Sequence, residues 1–149
     1  MPTDAYFSRP PAANGLIVPA GREPILIASL GPLRGGFYVF FAKVIVVTRQ
    51  DASGDSAIAE FSLEAGEGVN RAMCTLWQSS DLGALQPADT VSLQLPMTLT
   101  ALRTRVGQPP PPKPHASLYC NSIRGMLELR DVVITAIRVD SLTDLSPAS

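Results

Sequence analysis

Apolar and polar residues alternate from residue 90 to residue 101. Val91, Leu93, Leu95, Met97, Leu99 and Ala101 are apolar; Thr90, Ser92, Gln94, Pro96, Thr98 and Thr100 stand between them. A period of two sends successive side chains to opposite faces of a sheet, so this stretch predicts a β-strand with one face against a core. At about 3.3 Å per residue it is one long strand, or two that meet at Pro96. The alternation recurs over residues 57–65, with Ala59, Phe61 and Leu63 on one side and Glu60, Ser62 and Glu64 on the other. Residues 71–80 set Cys74, Leu76 and Gln78 against Met73, Thr75 and Trp77. Residues 25–30 and 116–123 predict shorter strands.

The breaks between these segments carry turn chemistry: Gly31-Pro32, Gly35-Gly36, residues 51–55, Gly66-Glu67-Gly68 and Arg124-Gly125. Nothing has a convincing helical period; residues 81–86 would make one turn at most. Seven or eight strands with frequent turns predict an all-β, antiparallel two-sheet β-sandwich. Residues 1–24 hold five prolines and predict an extended Pro-rich N-terminal arm, in which Leu16-Ile17-Val18 could pair briefly as a strand. The sandwich domain then runs over residues 25–142, and residues 143–149 form a polar tail. Pro109 to Pro112 and Pro114 make a segment that cannot join a ladder. It reads first as a stiff spacer and second as a ligand for a proline-binding groove.

Two strands are apolar on both faces. In residues 37–47 the even positions are Tyr38, Phe40, Ala42, Val44 and Val46, and the odd ones Phe37, Val39, Phe41, Lys43, Ile45 and Val47. In the closing strand, residues 126–142 with a bend near Arg130-Asp131, one side has Val133, Ile137 and Val139 and the other Val132, Ile134 and Ala136. A strand of an isolated antiparallel sandwich shows one face to water. The expectation is therefore that these two strands are neighbours in one sheet and that its outer face is a homo-oligomer interface, made by Phe37, Val39, Phe41, Ile45, Val132, Ile134 and Ala136. The alternative is that the arm folds over that face within one chain.

Composition supports a covered surface. Charged residues are 17% of the 149, against the usual ~25%. The net charge is -1 with both signs interspersed, so nucleic acid is not an expected partner. No apolar run approaches the length of a membrane span, and no membrane insertion is expected. The first residues lack a basic start and an apolar run, so no signal peptide is expected. The location stays unknown on these grounds, with a virion or extracellular surface favoured over the cytoplasm. Cys74 and Cys120 are either one disulfide or two buried thiols.

Candidate chemistry is sparse. His115 is the single histidine and has no nucleophile or carboxylate beside it in sequence, so it reads as a solvated loop residue. Asp51, Ser53, Gly54 and Asp55 resemble part of a calcium loop but lack the closing bidentate Glu, and turn chemistry explains them better. Trp77 and Met73 read as core first and as an exposed anchor second. No nucleophile elbow, phosphate loop or metal-binding spacing is present. No catalytic residue, cofactor or metal is expected.

Three segments carry a resemblance: Gly35-Gly36-Phe37-Tyr38-Val39 opening a long apolar strand, residues 87–95 (PADTVSLQL) late in the domain, and the ending VVITAIRV at residues 132–139. Their order resembles the tumour-necrosis-factor/C1q-like jelly rolls, in which a glycine and an aromatic residue precede a long early strand and an apolar strand ends the domain. The Pro-rich arm and the residue 109–114 segment depart from that pattern, and no collagen-like stalk is present. The resemblance implies a jelly-roll sandwich and a trimer whose first and last long strands line the three-fold contact. Virus and phage decoration proteins similarly use β-sandwich trimers with extended arms. The expected function is a non-enzymatic structural or assembly protein: a homotrimer with a protein assembly partner, as in a virion (capsid) decoration or surface lattice. The alternative is a secreted or surface-displayed C1q-like ligand-binding module.

Overall fold

The computed structural model describes residues 4–21, 23–48, 56–77, 88–99, 106–107 and 115–147. Nine strands occur among them: β1 (Ala5–Ser8), β2 (Leu16–Val18), β3 (Ile25–Leu30), β4 (Gly36–Thr48), β5 (Ser56–Ala65), β6 (Gly68–Trp77), β7 (Ala88–Leu99), β8 (Ala116–Arg124) and β9 (Leu127–Val139). The expected turn at residues 51–55, the helical turn at 81–86 and the proline segment at 109–114 lie outside the described residues.

The strands form two antiparallel sheets. One has the order β1-β9-β4-β7, with β2 also on β9; the other has the order β3-β8-β5-β6. After β3 the chain crosses between layers at almost every step, β5 to β6 being the exception. That pair is a hairpin closed by Gly66-Glu67, with Ala65 opposite Gly68. The result is a jelly roll, an all-β sandwich as expected.

The alternation read from the sequence fills the space between the layers. From the first sheet come Tyr38, Phe40, Ala42, Val44 and Val46 of β4 and Val91, Leu93 and Leu95 of β7, all buried. From the second come Ala59, Phe61 and Leu63 of β5 and Leu118 and Cys120 of β8. Tyr38 and Phe40, two apart on one face, stack with ring centroids 5.3 Å apart, and the Tyr38 hydroxyl donates to the Arg34 carbonyl at 2.9 Å. Each fully buried large side chain contributes about 1.5–3 kcal/mol. β7 is one continuous strand. Pro96 lies opposite Val39 of β4, and β4 is the one strand that pairs with β7 among the described residues; proline is accommodated on such an edge, where its ring nitrogen can face away from the ladder.

The N-terminal arm lies along this chain's own sheet. Ala5–Ser8 pairs with residues 134–137 and Leu16–Val18 with residues 127–129, both on β9. A single 3-10 turn at Pro11–Ala13 joins them and puts Ala13 into the core. The arm thus extends the sheet at its edge rather than folding over the outer face.

Cys74 and Cys120 are both free and buried. They face the core from β6 and β8, and β5 runs between those strands. Two strand spacings come to about 9–10 Å, beyond the ~7 Å over which a disulfide can bridge Cα atoms. In this structure Cys74 and Cys120 are two separate buried thiols. Burial pushes the Cys120 thiol up to about 12, with a smaller contribution from Cys74. Burial also raises Cys74, and the Asp89 carboxylate, 3.9 Å from its Sγ, adds to the effect. A raised thiol stays protonated in the native chain when the unfolded chain has already ionised. Its stabilising contribution is therefore complete below pH 9 and is lost as pH rises toward about 12, at about 1.4 kcal/mol per pH unit. Urea titrations across that window should show a shallower loss of stability in Cys120→Ala than in the parent chain. Parallel curves would mean that Cys120 ionises as freely in the native state as in the unfolded one.

Candidate assembly face

The outer face of the first sheet is built row by row from the register. Ala5, Ile137, Val39 and Pro96 form one row across β1, β9, β4 and β7; Phe7, Thr135, Phe41 and Gln94 form the next. Val139, Phe37 and Thr98 flank them on one side, and Val133, Lys43 and Ser92 on the other. Phe7 is 74% exposed, Phe37 39% and Phe41 38%. Val39, Ile45, Val133, Ile137 and Val139 are half-buried. These rows place three aromatic rings and several branched side chains in one patch. An apolar surface of this kind marks an interaction site.

Polar groups bound the patch. At one end Arg130 donates to Glu128 at 2.6 Å, and Lys43 is exposed. β7 contributes Ser92, Gln94 and Thr98 along its edge, all exposed. An apolar centre with a polar rim is the usual anatomy of a protein–protein interface.

Of the seven residues expected on this face, Phe37, Val39, Phe41 and Ile45 are on it, and β4 and β9 are neighbours as expected. Val132, Ile134 and Ala136 are not on it: they point into the core, at 1%, 0% and 0% exposure. The reason is a β-bulge. Lys43 pairs with Val133 but Ile45 pairs with Arg130, so β9 spends one residue more than β4 over this span. Asp131 takes up the extra residue with φ 50°. Counted by twos from the outward Glu128 and Arg130, residues 132, 134 and 136 fall outside; the bulge reverses the phase. Val133, Thr135 and Ile137 take their places.

The remaining candidates are scattered. His115 is exposed, one residue ahead of β8. Met73 and Trp77 project from the outer face of β6, 63% and 69% exposed, so the core reading does not hold for them. No helix among the described residues is long and apolar enough to cross a membrane.

No family's sequence model matches the chain, and no curated protein matches it. Among solved structures it is similar to Eiger TNF from S. frugiperda, with a TM-score of 0.51 and 11% sequence identity over 100% of both chains. With the strand order above, this shows a tumour-necrosis-factor-like jelly roll. Identity at that level speaks to the fold alone.

Proposed function

We propose that this chain is a non-enzymatic assembly module that forms a homotrimer through the outer face of the β1-β9-β4-β7 sheet. The observation that carries the reading is the continuous apolar surface of Phe7, Phe37, Val39, Phe41, Ile137 and Val139. The most specific version is decoration of a virion or similar particle by a surface lattice, which accords with the low charge content and with an arm docked along the sheet edge. Three subunits are what the tumour-necrosis-factor-like arrangement implies. A secreted or surface-displayed C1q-like ligand-binding module is the second reading; the full-length likeness to Eiger TNF favours it, and it shares the trimer. Light scattering of the purified chain at micromolar concentration should give three times the 15.8 kDa of one chain. A monomer would remove both readings. Recovery only with a particle supports the first, and recovery as a free trimer the second.

A further inference from the structure

The opposite face of the sandwich carries a separate feature. β5 sends Glu60, Ser62 and Glu64 outward, and the register sets Tyr119 of β8 and Arg71 of β6 on either side of Ser62. These five side chains, with Pro24 at the rim, line a groove of about 290 Å³. Ser62 is 9% exposed, and its Oγ has no hydrogen-bond partner among the described residues. In the next row Asn121, opposite Glu60, holds a second buried oxygen, Oδ1, that is also without a partner there. Buried polar atoms are paired as a rule, and an orphan costs about 1–3 kcal/mol. A ligand that supplied the missing bond would recover that cost.

The donor and acceptor balance of the groove selects the ligand. Glu60 and Glu64 accept only, Arg71 donates only, and the hydroxyls of Ser62 and Tyr119 do both. No ion pair joins Arg71 to either carboxylate among the described residues, so all three remain available. A simple cation would leave the Arg71 guanidinium and its donors unpaired, and a simple anion would be repelled by the two carboxylates. A neutral ring bearing several hydroxyls suits every group: it donates to the carboxylates, accepts from the guanidinium and serves Ser62 either way. The aromatic ring of Tyr119 offers its C–H face an apolar partner.

We propose that this groove binds a neutral pyranose sugar, either free or as the end of a glycan. It lies on the sheet that the proposed trimer leaves uncovered, and its test does not depend on the oligomeric state. Amide chemical shifts of the full chain can be followed while the methyl glycosides of glucose, galactose and mannose, and the matching disaccharides, are added separately. At least one glycoside should move the amides of Ser62, Arg71 and Tyr119 while leaving the outer face of β4 unchanged. Tyr119→Ala should abolish the effect, and Arg71→Ala should weaken binding roughly tenfold, the loss of one charge-assisted hydrogen bond. Tighter binding of a disaccharide assigns the groove to a glycan end, and equal binding to a free sugar. The proposal is overturned if no glycoside moves these amides at tens of millimolar, if Tyr119→Ala responds like the parent, or if methylammonium moves them where the sugars do not. Both variants change exposed or half-buried side chains, and the rest of the amide spectrum reports that the fold is retained.

Discussion

Ile134→Asp should leave no folded protein, whereas Ile137→Asp, three residues further along β9, should leave the sandwich intact and break the proposed oligomer. Ile134 is fully buried between the sheets. Truncating such a side chain costs about 2–5 kcal/mol, and a carboxyl group placed there without a partner costs several more. Together these approach the whole stability of a domain, about 5–15 kcal/mol. Ile137 lies opposite Val39 and Ala5 on the outer face and is only half-buried. A carboxylate there keeps its water in the isolated chain, so the melting temperature of the monomer should move little. In a trimer the same position brings three like charges into an apolar contact, which costs several kcal/mol. Circular dichroism and light scattering on the two variants decide the matter. A folded Ile134→Asp would mean that the bulge does not reverse the phase of β9. A folded Ile137→Asp that keeps the parent mass would mean that copies of the chain meet elsewhere.

Those two residues also show where the sequence was readable and where it was not. Strand positions follow from local alternation, so β3, β5, β7 and β8 were legible to within a residue or two. The pairing of β4 with β9 was legible for a different reason: only those strands are apolar on both faces, and only a covered sheet accommodates them. The bend at Arg130-Asp131 was legible too. A bend and a bulge look alike in sequence, however, and only the bulge adds the residue that turns Val132, Ile134 and Ala136 inward. The separation of Cys74 from Cys120 depends on β5 lying between β6 and β8, an order fixed by long-range packing. For the same reason the groove around Ser62 was hidden. In sequence Glu60, Ser62 and Glu64 are only the polar side of a strand; the register brings Arg71 and Tyr119 beside them. Of the arm, Leu16–Val18 has enough apolar character to suggest a strand, while Ala5–Ser8 shows no period long enough to reveal one.

The β8–β9 corner between the two sheets is tightly constrained, and Gly125→Ala should cost about 2–4 kcal/mol. The chain leaves β8 at Arg124 and enters β9 at Leu127, so the step from one layer to the other is made by Gly125 and Met126 alone. Gly125 has φ +87°, and an added Cβ would sit 2.9 Å from the Cβ of Ala57 and 3.2 Å from its Cα. The Ala57 backbone is held in place by the pairing of β5 with β6. Beside it, Arg124 donates to the Ser56 carbonyl at 3.2 Å and also to the Ser56 hydroxyl. On the other side the Ser122 hydroxyl donates to the Gly125 carbonyl at 2.6 Å. A left-handed backbone costs a non-glycine residue about 1–2 kcal/mol, and forcing a methyl against fixed atoms costs about 1–3 more. Stiffening of the unfolded chain returns only a few tenths to 1 kcal/mol. The expected fall in melting temperature is about 5–15 °C. Gly15→Ala separates the two causes: Gly15 has φ +85° but nothing within 4 Å of the added atom, so it should show the backbone cost without the clash. Equal losses in the two variants would mean that β8 and β9 can shift away from Ala57, and that the corner is looser than its contacts imply.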